Sequence, residues 1–370
     1  MELTVLTPLR VKGSERYDRE HIEAYFDHRL TALTISTAGD TFLYNYGFQR
    51  AVRREVRRLV REQRFDLIHS QHAHMPDLLV FPSSRLPPTV RTIHTTIDGQ
   101  RGGIRAAREP GVGLELSERW QLVLAPALQT AEWTILHRPR DAYITVSNWM
   151  AGELARRGIA PSRVRVIPTG VETDRFRPAL RDEGRLRSRP DSRVVLFPGR
   201  PTIVKGAAVL ARAIPLVLRE VPNAEFAFTG GGQDEFLHLV SLSSEVRSKI
   251  RFLGYVPFAE LPQIYASADL VVAPTYYENL PARVLEAMSS GVPVVASAVG
   301  GIGDVVVPER TGELVRPGSA QELARALVRL LRDDGLRSRL GAASRALVAD
   351  QYTWRRAADL TLQYYHELVG

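Results

Sequence analysis

Cysteine is absent from all 370 residues, so no disulfide staples this chain and no thiolate can bind a metal or attack a substrate. Lysine is almost absent too: Lys12, Lys205 and Lys249 are the only three among 49 basic residues. No apolar run approaches the ~20 residues that a membrane-spanning helix needs. Met1 opens directly into the strand-like Leu3-Thr-Val-Leu6, without a charged-then-apolar leader. The expectation from these absences is a cytoplasmic protein. Neither an aromatic-interleaved platform for single strands nor a groove-reading helix is visible, which argues against a nucleic-acid partner.

What is present is too long for one ordinary core and suits two domains. Short apolar runs alternate with helical patterns, the signature of parallel α/β architecture. In the first half, strands are expected at Phe65–His69, Thr89–Ile93 and Asp141–Ser147. In the second they are expected at Val194–Phe197, Glu225–Thr229, Ile250–Leu253, Leu270–Ala273, Val292–Ala296 and Glu313–Val315. The apolar-poor stretch Pro178–Asp191 reads as the linker between a domain over 1–178 and another over 190–352. Residues 98–113, with five glycines, read as a mobile loop over a cleft, and Leu114–Leu136 as a helix.

Charge is uneven. Residues 1–178 hold 26 basic and 20 acidic side chains, against 23 and 21 in the remainder. The densest basic stretch, Arg50–Arg64, carries seven arginines around a stripe of Val52, Val56, Leu59 and Val60. Such a helix either packs on a sheet or makes peripheral contact with an anionic membrane. Further on, His69, His72 and His74 cluster at a strand end; with no other ligand type beside them, acceptor contact by His72 or His74 is the better reading than a metal site.

Two segments carry chemistry. In Thr275–Gly301, Pro281 suits a first helical turn, and Val284, Leu285 and Met288 follow at helical spacing. Glu278, Asn279 and Leu280 then stand just before the helix and Glu286 within it. At about 1.5 Å per residue the carboxylates are roughly 12 Å apart, with an anion-attracting helix start between them. A nucleoside diphosphate sugar has hydroxyls at both ends and phosphates in the middle. In Phe197–Gly206, a strand runs into a glycine loop bearing Arg200, whose planar fork suits phosphate oxygens, and Lys205, whose ammonium is a compact charge. A helix is expected from about Ala207.

The order G-R-x4-K-G, Thr229-Gly-Gly-Gly232, E-x7-E and S-G-V-P-V-V-A-S resembles the family 4 retaining glycosyltransferases. That resemblance implies the GT-B fold: two doubly wound Rossmann-like domains facing a cleft, with the helix of 353–370 crossing back to the first domain. It implies a nucleotide-sugar donor, a hydroxyl acceptor and no cofactor or metal, because the protein's own cations meet the diphosphate. It assigns Arg200 and Lys205 to the phosphates, Glu278 to the donor sugar and Glu286 to the ribose. Gly13 would let the first loop approach the phosphates, His94 would face the sugar across the cleft, and the backbone near Val256 would read the base. Pro281 departs from the glycine common there and removes one donor near the phosphates. Two rival readings share some of these features: a nucleotide-sugar epimerase of the same fold, and an Arg-rich protein that binds polyanions or membranes.

Overall fold

The structure, a computed structural model, describes residues 41–72, 86–108, 116–138, 141–239 and 242–370. The predicted first strand, Gly13 and His74 lie outside them. Two parallel sheets account for the architecture. One has four strands in the order β1-β2-β3-β4: β1 Ile68–His72, β2 Thr89–Ile93, β3 Asp141–Thr145 and β4 Val164–Val166. The other has six in the order β10-β9-β8-β5-β6-β7. These are β5 Arg193–Phe197, β6 Ala224–Phe228, β7 Ile250–Phe252, β8 Leu270–Ala273, β9 Val294–Ser297 and β10 Gly312–Val315. Strand order reverses beside β5, so the loops after β5 and β8 open into the crevice where ligands bind in such sheets.

The long helices are α1 Thr41–Glu62, α2 Ile97–Ala106, α3 Leu116–Leu136, α4 Asn148–Arg156, α5 Ala207–Glu220, α6 Ala282–Ser289, α7 Ala320–Arg332, α8 Asp334–Gln351 and α9 Trp354–Val369. Side chains alternate across a strand, and the first sheet shows what each face does. Ile93 and Tyr143 pack with Met150 and Leu154 of α4 on one side. Val90, Ala142 and Ile144 pack with Leu360 and Tyr364 of α9 on the other. The last helix therefore completes the core of the first sheet. The chain crosses between domains twice, and the crossings touch: Val171 N donates to Tyr352 O at 2.8 Å, and Val171 bridges Thr353.

Two expectations need correction. Of the loop expected over 98–113, residues up to 106 belong to a helix that starts at Ile97, with Thr96 Oγ1 capping the N–H of Gly99 at 3.1 Å, and 109–113 lie outside the described residues. The strand placed at Phe65–His69 begins three residues later, at Ile68. The linker stretch 178–191 is pinned to the second domain, because Arg181 and Arg187 both reach the buried carboxylate of Asp269, at 2.9 and 3.0 Å. The stripe of α1 follows the packing alternative: Val52, Val56 and Val60 lie against Ile68 and Leu86. Among the described residues no helix is long and apolar enough to cross a bilayer.

Candidate functional site

A cavity of about 370 Å³ lies where the domains meet. Its wall from the first domain comprises His94 and Thr95 at the carboxyl end of β2, Gln100 and Ile104 on α2, and the buried Glu118 on α3. The opposite wall comprises Val204 and Lys205 from the loop after β5, with Tyr277, Glu278 and Asn279 from the loop after β8.

The loop after β5 ends at Gly206, whose left-handed φ of 77° starts α5 and lets the backbone pass under Pro274. Lys205 is thereby held beside the loop after β8, where its ammonium pairs with Glu278. The same carboxylate oxygen accepts from Arg283 Nη2 at 2.9 Å. Glu278 thus sits between two cations, Lys205 from the loop after β5 and Arg283 from the first turn of α6. Burial lowers the pKa of Lys205, the nearby guanidinium of Arg283 lowers it further, and Glu278 opposes both.

Asn279, buried, joins three segments. It accepts from Ser147 Oγ and donates to the carbonyls of His94 at 3.0 Å and Ile93 at 3.4 Å. Its own carbonyl takes the N–H of Gly301 at 2.7 Å. At Gly300, φ is 57° and a Cβ would stand 1.6 Å from the Glu278 carbonyl, so the glycine turn after β9 must be glycine to press against the site. Tyr277 enters the first domain: its hydroxyl lies 3.1 Å from Thr95 Oγ1, its ring lies on Gly99 and Gly103 of α2, and Trp149 meets it edge-on at 6.1 Å.

The structure therefore brings His94, Lys205, Glu278 and Asn279 around one cavity. Other expected residues lie elsewhere. Arg200 is on the exposed part of its loop, outside the cavity wall. Leu280 is packed in the core with Val284 and Leu285 and is not part of the cavity wall. Val256 packs against the same core. Glu286, half-buried on α6, faces the buried Tyr265 hydroxyl; burial raises its carboxyl above the ordinary range and that hydrogen bond offsets part of the rise. Pro281 precedes α6 as its cap residue instead of occupying its first turn. His69 is engaged by Tyr365 and Thr92, and among the described residues no three ligating side chains gather for a metal.

Sequence reading missed Arg283, Tyr277, Gln100 and Glu118. Arg283 had a faint signal, a basic residue in the first turn of the helix after Glu278. Gln100 and Glu118 are placed by α2 and α3, and Tyr277, on the loop after β8, is singled out only by its packing on Gly99 and Gly103 of α2; a local motif shows none of this.

Comparison with known proteins follows the same division of the chain. Residues 192–333 match the family described as Glycosyl transferases group 1, and residues 2–175 match Glycosyltransferase Family 4. An uncharacterized glycosyltransferase of Methanocaldococcus jannaschii is 30% identical over 292 residues, 76% of this chain and 71% of that protein. A D-inositol 3-phosphate glycosyltransferase of Salinispora arenicola is 31% identical over 326 residues, 83% of this chain and 69% of that protein. Among solved structures, sucrose-phosphate synthase of Thermosynechococcus elongatus superposes with a TM-score of 0.73 at 24% identity, covering 99% of this chain and 89% of that one. HepE of Anabaena, solved with UDP and glucose, gives 0.66 at 20% identity over 98% and 91% of the two chains.

Proposed function

This chain belongs to the family 4 glycosyltransferases, and from that premise we propose that it moves a sugar from a nucleoside diphosphate sugar to a hydroxyl acceptor with retention of anomeric configuration. The supporting observation is the placement of Glu278 between Lys205 and Arg283 on the wall of a cavity that both domains share. A carboxylate there accepts hydrogen bonds from sugar hydroxyls, and the two cations beside it supply charge where a diphosphate becomes more negative on departure. Preorganised cations act most strongly on the transition state, in which that charge develops. In this reading the bond from the anomeric carbon to the phosphate oxygen breaks as the acceptor oxygen attaches on the same face. The acceptor proton passes to the departing phosphate, so no separate base is required.

Glu286, about one turn into α6, would take the ribose diol, and Arg200 would reach the outer phosphate from the exposed side of its loop. The protein's cations perform the work that a metal ion would otherwise do. No cofactor enters.

The test is thermal stability against nucleoside diphosphates and their sugars in chelator, uridine compounds first because HepE, which shares the fold, is solved with UDP-glucose. Saturation at one hundred times the dissociation constant stabilises by about 2.7 kcal/mol, so the right base gives a clear rise in melting temperature and a wrong one none. The absence of any rise across the bases would overturn the reading. With the donor identified, the anomeric coupling constant in the product must match that of the donor, and donor incubated without acceptor must not be epimerised.

A further inference from the structure

A chain of polar side chains runs from the last helix to the cavity. On β1, His69 and Gln71 share a face, and Gln71 stands opposite Thr92 of β2 in the parallel register. Tyr365 of α9 is hydrogen-bonded to His69 Nδ1. His69 Nε2 lies 2.7 Å from Thr92 Oγ1 and 3.3 Å from Gln71 Nε2. The far end of the same amide, Gln71 Oε1, is 2.8 Å from His94 Nε2. His94 then forms part of the cavity wall.

An imidazole nitrogen can donate or accept, whereas an amide oxygen only accepts and an amide nitrogen only donates. Gln71 therefore imposes a direction on both rings. Its N–H groups point into His69 Nε2, which leaves the proton of that ring on Nδ1, toward Tyr365. Its oxygen requires an N–H on His94 Nε2. We propose that Gln71 is a positioning residue that fixes His94 in the Nε2–H tautomer, so that Nδ1 carries the lone pair and accepts a hydrogen bond from a substrate hydroxyl. The tautomer rests on geometry alone; the hydroxyl rests on the sugar-transfer reading.

Burial lowers the pKa of His69 to about 4, with His94 adding to the shift, so the ring behind the amide remains neutral through the physiological range. Charged groups sharing the cavity with His94 are Lys205 and Glu278 from the second domain and Glu118 from α3. Rotating the Gln71 amide would reverse every donor in the chain and put the lone pair of His94 on Nε2, which is the opposite prediction.

The tautomer is read from nitrogen-15 shifts of the histidine-labelled full chain, in wild type and in the variants Gln71→Leu and Gln71→Glu. The expected spectrum has His94 protonated on Nε2 in wild type, and a mixed tautomer in Q71L with turnover lowered about 10–100-fold, by analogy with the loss of partners that orient metal-binding histidines. Q71E keeps an acceptor at the same place and adds negative charge, so it restores the Nε2–H tautomer. It also moves the acidic limb of the turnover profile up by roughly 1–3 pH units. A merely structural glutamine would not shift that limb. His94 protonated on Nδ1 in wild type, or Q71L with tautomer and turnover unchanged, would overturn the proposal. A wild-type protein inert in sugar transfer would overturn the assigned reaction, while the tautomer would still be decided by the spectrum.

Discussion

Lys205 and Glu286 illustrate two costs that single side chains impose at this site. Lys205 is held as a cation although burial and Arg283 disfavour its charge, and Glu278 retains Arg283 as a partner if the lysine is removed. Lys205→Ala should therefore lower turnover about 100–1,000-fold, the range for deleting one preorganised charge-stabilising donor, with little change in melting temperature. Steady-state kinetics beside calorimetry would check this, and an active variant would refute the assignment. Glu286 has a folded pKa above its unfolded one, so its ionised form is penalised once the pH exceeds the unfolded value. Glu286→Gln should thus raise the melting temperature by about 1–2 °C at pH 8, give no gain at pH 4, and weaken nucleotide binding. Calorimetry at the two pH values distinguishes this from a general packing effect. Lys205 and Glu278 were legible in the sequence because each belongs to a local strand–loop–helix pattern. That they pair with one another was not, since 73 residues separate them and only the return of β8 beside β5 brings the loops together.

Among the elements, α2 shows why local rules failed where they did. Glycines at 99, 102 and 103 are helix-weakening by propensity, yet a Cβ at Gly99 or Gly103 would stand 2.3 or 2.4 Å from Tyr277. Those glycines make room for an aromatic ring from the other domain, a tertiary demand that a local window cannot show. Tyr277 in turn couples the domains beside the cavity, together with Asn279. Tyr277→Ala should lower the melting temperature by about 4–8 °C, as expected for about 2 kcal/mol of lost packing, and increase the radius of gyration in solution scattering. An unchanged scattering profile would mean that Asn279 and Ser147 suffice to hold the domains. The strands of the second domain, by contrast, were readable almost to the residue: β8 at Leu270–Ala273 and β5 within one residue. Buried on both faces, they are continuous apolar runs with sharp polar ends.

The molecule as a whole is two sheets tied by crossings at Val171 and Thr353, with α9 returning to the first sheet. The polar composition of 178–191 marked a linker, and the ion pairs to Asp269 pin that segment to the second domain. Charge content alone cannot reveal whether arginines meet water or a buried carboxylate. Ending the chain at Tyr352 should uncover Val90, Ala142, Ile144 and Ile167, leaving a protein that binds hydrophobic dyes and loses its first sheet to protease. A resistant fragment from about 178 to 352 should survive. Equal resistance of both halves would contradict the role given to α9.

That return also sets a timetable for synthesis. Between Val166, in the last described strand of the first sheet, and Trp354, where α9 begins, the ribosome must add 188 residues (354 − 166). At roughly 5–20 residues per second this takes about 10–40 s, during which Val90, Ala142 and Ile144 wait for the partners that α9 supplies. The second domain has its own complete set of helices and can fold first, so the later-made half of the protein matures before the earlier-made half. Slow translation or chaperone shortage should therefore harm the amino-terminal domain selectively, whichever sugar the finished enzyme carries.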